Sequence, residues 1–298
     1  MKHKEYQNII NSYARYPQMF EHNFIYRSGS RLYGYANENS DYDFRGVYVL
    51  PKEAFLSHYN TQEQLSVMED NEDWVMYSLH KMMCLYVAND PVAIESLFVS
   101  DDDIVKDSPL RRDIKDLLMD KIISKVIYKR LLGFANSEWR KARGERVVLQ
   151  KPSVGEQKAK DIFQTEFKVP KFLMKDIMNI IDERKPIRVE SSISKLGKKK
   201  KAEFDKYGYG VSSACHCIRL TIQAINILNG NYNIFPNPEV DVLRKIKRGM
   251  MPFDEVNKLY EYYSQMSESA FKKSSLRDRP DVNGIWEWYD KTVLNLYE

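Results

Sequence analysis

Asp41 and Asp43 stand two residues apart, and ten residues separate them from the upstream pair Gly29-Ser30. On a strand, positions i and i+2 share a face, with Cα atoms about 6.5–7 Å apart. Two like charges held there repel each other and weaken the strand. A divalent cation between them relieves this, and hard cations such as Mg2+ take carboxylate oxygens while keeping water and substrate phosphates as their other ligands. Gly29-Ser30 follows a β-prone run, Phe24-Ile25-Tyr26-Arg27, and opens a short helix through Leu32, Tyr33 and Tyr35. A strand that feeds a helix start gathers free N–H groups and the positive helix end at one point, where phosphate oxygens bind. Gly29 lets the backbone come close, and Ser30 adds a hydroxyl donor. Each signal alone is also that of an ordinary helix cap or a solvated acidic turn. Together they bring both halves of a magnesium–nucleotide site to one end of one sheet.

The elements that must position these residues follow from pattern. Tyr6, Ile9, Ile10 and Tyr13 have helical spacing, so residues 1–20 are expected to open with an amphipathic helix. Tyr42 to Leu50 is strand-like and stops at Pro51; Asp73 to Tyr77 is a second such run and leads into a helix over Leu79 to Val87. Asn89-Asp90-Pro91 punctuates it, and another helix continues through Glu95 to Val99. From about residue 108 helical periodicity dominates: Ile114–Ser137, Val169–Ile181, Val211–Leu228, Val240–Arg248, Phe253–Met266 and Asn283–Leu296. The expected organisation is therefore α+β, a small mixed sheet with flanking helices over residues 1–107 and an all-helical domain over 108–298. The segment Glu183 to Gly210, which holds Lys198-Lys199-Lys200-Lys201, is expected to be a surface loop.

With 298 residues the chain is long enough for a real core. Its 30% charged residues fit an ordinary soluble protein, and no apolar run reaches the roughly 18 residues that span a bilayer. Three cysteines and no export signal in MKHKEYQNII point to a reduced, cytoplasmic protein. A net charge of +4 is compatible with an anionic partner without demanding one. Cys215-His216-Cys217 does not read as a zinc site, because adjacent helical residues fan out around the axis and no second ligand pair exists.

Gly29-Ser30 followed by Asp41-x-Asp43 resembles the hG(G/S)…Dh(D/E)h signature of the DNA polymerase β-like nucleotidyltransferase superfamily. The fuller string GSRLYG…SDYDFRGVYVLP resembles one branch, the nucleotidyltransferases associated with RNA-repair operons and also found in phages. DWVMYSLHKMMCLYVANDPVAIESLF, ACHCIRLTIQAINILNGNY and LRKIKRGMMPFDEV are similar to later parts of that branch. The resemblance implies transfer of a nucleoside monophosphate from an NTP to an acceptor hydroxyl, with release of pyrophosphate. RNA is the favoured acceptor; a protein or small molecule is the alternative, and a non-catalytic nucleotide- or RNA-binding protein the third reading. The resemblance also implies a third carboxylate on a neighbouring strand, for which Asp73 is the choice, Glu72 the adjacent alternative and Glu95 the more distant one. In a two-metal scheme Asp41, Asp43 and Asp73 would hold Mg2+, or Mn2+ in its place, as ligands and catalytic groups. Gly29 and Ser30 would hold the phosphates, with Arg31 and Arg45 as local cations and Lys81 on the following helix. His216 and Arg219, three apart on one helix, are candidates for the triphosphate or acceptor, or else members of a helix–helix network.

Overall fold

A computed structural model of the chain describes residues 23–38, 40–50, 52, 63–69, 71–149, 158, 162, 186–193 and 196–297. The helices expected over 1–20 and 169–181 lie outside these residues. Strands β1 (Phe24–Ser28), β2 (Tyr42–Tyr48), β3 (Gln64–Glu69), β4 (Glu72–Ser78) and β5 (Ile104–Lys106) form one mixed sheet in the order β3-β4-β2-β1-β5. All pairings are antiparallel except β2 with β4, which is parallel. β1, β2 and β4 fall on the expected β-prone runs. β3 and β5 were not expected: β3 ends among acidic residues, β5 is only three residues long, and each is formed by pairing with a neighbour.

Because strand side chains alternate, the register sorts the sheet into two faces. Ser28, Asp43 and Asp73 lie side by side across β1, β2 and β4, followed on the same face by Tyr26, Arg45 and Val75 and then by Phe24, Val47 and Tyr77. The other face carries a core of Ile25, Tyr48 and Met76, against which Phe44, Trp74, Leu65 and Val105 pack. Phe24, Ile25, Tyr26 and Tyr48 are all buried, and each such side chain contributes about 1.5–3 kcal/mol by leaving water. The charged row at the start of β2 and β4 is thus anchored by strongly apolar rows further along the same strands.

A single helical turn, α1 (Gly29–Leu32), follows β1; α2 (Leu79–Val87) and α3 (Pro91–Ser96) follow β4. Ser78 caps α2 by accepting from the Lys81 N–H, and Asp90 caps α3 by accepting from the Val92 N–H. The Tyr26 hydroxyl donates to the Val92 carbonyl (3.4 Å), which places α3 against the face that bears Asp43. Asn89, buried with φ +50°, donates to the carbonyls of Tyr86 and Ile122 and accepts from the Ser124 hydroxyl. The Asn-Asp-Pro string is therefore a structural joint.

After α4 (Pro109–Asp113), the expected helix over Ile114–Ser137 is instead divided into a π-helical turn (Ile114–Leu118), α5 (Met119–Ile122) and α6 (Val126–Ala142). Asn89 supplies the reason at the α5 end: its side chain takes the Ile122 carbonyl, and Ile123 leaves the helix in an extended conformation. Further on come β6 (Glu145–Leu149) and β7 (Pro186–Ser191), an antiparallel pair, then α7 (Lys198–Tyr207), α8 (Val211–Leu228), α9 (Val240–Lys247), α10 (Phe253–Lys273) and α11 (Val282–Tyr297). The four-lysine run is not a loop but the first turn of α7. Lysine, alanine and glutamate favour helix, and Gly208 ends it in the left-handed conformation (φ +78°).

The chain forms two compact units, Met1–Glu138 with Ala214–Glu298, and Trp139–Ser213. The first holds the five-stranded sheet and most of the helices. The second holds the β6–β7 pair and α7, tied by Glu203, which accepts from the N–H and the hydroxyl of Ser212. Among the described residues no helix is long and apolar enough to cross a membrane.

Candidate active site

Gly29 has φ +65°, a conformation glycine adopts without the strain a side chain would bring. A Cβ built there would lie 1.8 Å from Asp43 Oδ2, so the Asp43 carboxylate rests directly against the Gly29 backbone. Position 29 requires glycine twice over, for its own torsion and for the carboxylate beside it. Asp73, the register partner of Asp43 on β4, accepts from Arg45 Nη2 at 3.0 Å, and the same nitrogen lies 4.0 Å from Asp43 Oδ1. Arg45 Nη1 is fixed by the carbonyls of Phe44 (2.9 Å) and Asp73 (3.2 Å). The guanidinium therefore stands between the two carboxylates.

Charge accounts for the state of this cluster. Burial pushes the Asp43 carboxyl above the usual carboxylate range; Arg45 opposes this, while Asp73 and Asp41 push it further up and Arg31 pulls it down. Burial works against the Arg45 charge, yet Asp73, Tyr77 and Asp43 hold it above its ordinary value. Asp41 is exposed just before β2, near enough to act on Asp43, and makes no ion pair among the described residues.

Between the two adjacent acids, the register places Asp73 on the Asp43 face. Glu72 points the other way and accepts from the Trp74 indole N–H (3.0 Å). Arg31 donates to the Ser40 carbonyl (2.8 Å) and lies 3.6 Å from the centre of the Tyr42 ring. Lys81 is in the first turn of α2, half-buried. The Ser28 position before α1 makes no side-chain cap, which leaves first-turn N–H groups uncapped. Since α1 has only four residues, those groups and the Ser30 hydroxyl, rather than a long helix dipole, are what the turn offers an anion.

Arg219 and Glu95 meet each other, not a cleft. Arg219 Nη1 donates to Glu95 Oε1 (2.9 Å) and Gln223 Oε1 (2.9 Å), and its guanidinium lies 3.8 Å from the Tyr33 ring centre. The Tyr33 hydroxyl donates to both Glu95 oxygens (3.0 and 2.9 Å). Both charged residues are only 4% exposed. His216 is exposed, so the expectation that it and Arg219 point to one cleft is corrected: three residues apart on α8, one faces solvent and the other the interior. Tyr33 caps the C-terminal end of α1, so the Glu95–Arg219 pair holds the turn that carries Gly29 and Ser30. Tyr33 had no sequence signal of its own. The clue was Arg219 set among Ile218, Leu220 and Ile222, where a guanidinium requires a partner.

Asp41 and Asp43 fit a hard divalent cation: both are oxygen donors, Asp41 makes no ion pair among the described residues, and like charges crowd Asp43. Asp73 is committed to Arg45, and among the described residues no group of three or more His, Cys, Asp or Glu is arranged to hold a metal.

The profile of RlaP, the RNA repair pathway DNA polymerase beta family, matches residues 6–283. A search of curated proteins finds no match. Among solved structures, a nucleotidyltransferase-like protein from Exiguobacterium sibiricum 255-15 is similar at 11% identity with a TM-score of 0.27, over 98% of this chain and 75% of that one.

Proposed function

The chain belongs to the RNA repair pathway DNA polymerase beta family, and from that premise we propose that it transfers a nucleoside monophosphate from an NTP to an RNA hydroxyl. The observation that carries this reading is the Asp43 carboxylate, set against the Gly29 backbone and in register with Asp73. Asp41 and Asp43 would hold Mg2+, or Mn2+ in its place, and a cation there supplies charge neutralisation for the phosphates. Ser30 donates its hydroxyl to a phosphate oxygen, and the uncapped N–H groups of α1 add to this. Arg45 stands beside Asp43 and brings positive charge to where negative charge gathers.

In the transfer the acceptor oxygen bonds to the α-phosphorus, the bond from that phosphorus to the bridging oxygen breaks, and pyrophosphate leaves. Asp73, oriented by Arg45, takes the proton of the acceptor hydroxyl. The remaining contribution is positioning, which is most of what phosphoryl-type chemistry needs.

The test is incubation with each labelled NTP, Mg2+ or Mn2+, and either total RNA or total protein. Label in RNA that is lost with Asp43→Asn supports the proposal. Label in protein moves the acceptor to a protein hydroxyl, and label in neither pool, with nucleotide still bound, turns the reading to a non-catalytic binder.

A further inference from the structure

Two cavities open beside the α1 turn, and Asp41, Asp43 and Asp73 line neither of them. One, of about 420 Å³, is lined by Arg27, Arg31, Gly34, Ala36 and Tyr42. The other, of about 580 Å³, is lined by Arg31, Ala36, Asn37, Glu38 and Arg248. They share Arg31 and Ala36, and together they gather three arginines against one carboxylate. Arg27 spends part of its guanidinium on Asp103 (2.8 Å). Arg31 lies on the Tyr42 ring and reaches the Ser40 carbonyl through Nη2. Arg248, one residue past the end of α9, makes no ion pair or hydrogen bond through its side chain among the described residues. Unspent guanidinium donors around a polar cavity suit a phosphate, which accepts them in pairs.

Register says which phosphate. Arg27 alternates with Ser28 on β1, and Tyr42 alternates with Asp43 on β2, so both lie on the sheet face opposite Asp43 and Asp73. The triphosphate of a nucleotide held at Ser30 and Asp43 belongs to the first face. A strand whose reacting end sits at Asp73 has further phosphates, one per nucleotide, that can pass around the end of the sheet. Tyr42, 43% exposed and already stacked under Arg31, adds an aromatic surface of the kind that accompanies basic grooves for single strands.

We propose that the cavities lined by Arg27, Arg31, Tyr42 and Arg248 bind the phosphodiester backbone of a single-stranded RNA acceptor. This rests on the RNA-acceptor reading above and adds the path of the strand. The test measures binding of a fluorescein-labelled single-stranded RNA by anisotropy across a series of KCl concentrations, for the full chain and for Arg248→Ala and Arg27→Gln. A fluorescent ATP analogue is titrated in parallel. Loss of one phosphate contact should weaken RNA binding severalfold and lower the slope of log affinity against log salt by about 0.7, with ATP analogue affinity unchanged.

If the variants bind RNA like the wild type while the wild type binds and labels RNA, this inference falls and the RNA-acceptor reading stands. A parallel loss of ATP analogue affinity would assign the arginines to the triphosphate and also overturn the inference. If the wild type neither binds nor labels RNA, both readings fall. A circular dichroism melt unchanged in Arg248→Ala shows that the fold is intact, and Arg248→Lys, which keeps the charge, should recover most of the salt slope.

Discussion

Gly29→Ala is the sharpest perturbation of the proposed site, because two independent effects converge on one atom. The backbone stays at φ +65°, where an alanine is disfavoured by about 1–2 kcal/mol. The new methyl would also lie 1.8 Å from Asp43 Oδ2 and 2.5 Å from its Cγ, closer than any real contact, so the carboxylate must move. The two effects separate in a double-mutant cycle with Asp43→Ala, which removes the Oδ2 and Cγ overlaps and leaves the 2.9 Å approach to Cβ. Urea unfolding in EDTA, for wild type, both single variants and the double variant, should give a coupling of about 0.5–3 kcal/mol, the range for residues in contact. The Gly29→Ala penalty should shrink towards the torsional part when Asp43 is absent. Mn2+ binding, followed by electron paramagnetic resonance, should weaken in Gly29→Ala even though no ligand is removed. An equal penalty in both backgrounds would refute the argument, because the carboxylate would then not rest on Gly29.

Two further outcomes are expected. Asp43 has its proton affinity raised above the ordinary value of 3.8, chiefly by burial, so it adds stability below the unfolded value and loses it as pH rises through the native value. Asp43→Asn should therefore be more stable than wild type at about pH 7 in EDTA, with the gain fading towards about pH 4; urea midpoints across this range check it. Arg219→Ala leaves Glu95 buried without its cation and should lower stability by about 3–5 kcal/mol, measured by urea unfolding, whereas an exposed arginine would cost well under about 1 kcal/mol.

The parts of the site that were legible in the sequence were those set by short-range geometry. Gly29-Ser30 and Asp41-x-Asp43 declare themselves because strand alternation and helix starts act over a few residues. The choice between Glu72 and Asp73 was not open to that kind of reading: adjacent residues on a strand face opposite ways, and only pairing with β2 says which faces Asp43. Arg219 shows the same limit over a longer range, since its partner Glu95 lies 124 positions away on another helix. The lysines of α7 misled because composition alone does not distinguish a solvated loop from an exposed helical turn. The division at Ile123 was hidden because Asn89, far upstream, takes the carbonyl that would have continued the helix.

The way Arg45 is held changes how substitutions at Asp73 should be interpreted. Two of its hydrogen bonds go to main-chain carbonyls, of Phe44 and of Asp73 itself, and these persist whatever side chain stands at position 73. Removing the Asp73 carboxylate does not simply subtract one acid. It leaves an anchored guanidinium 4.0 Å from Asp43 with Asp73 no longer sharing it, so the net negative charge of the Arg45–Asp43–Asp73 cluster is lost. An inactive Asp73→Ala variant would report a captured Asp43 as much as the loss of the proposed base. Pairing that change with Arg45→Met restores the balance of charge and isolates what the Asp73 carboxylate itself contributes.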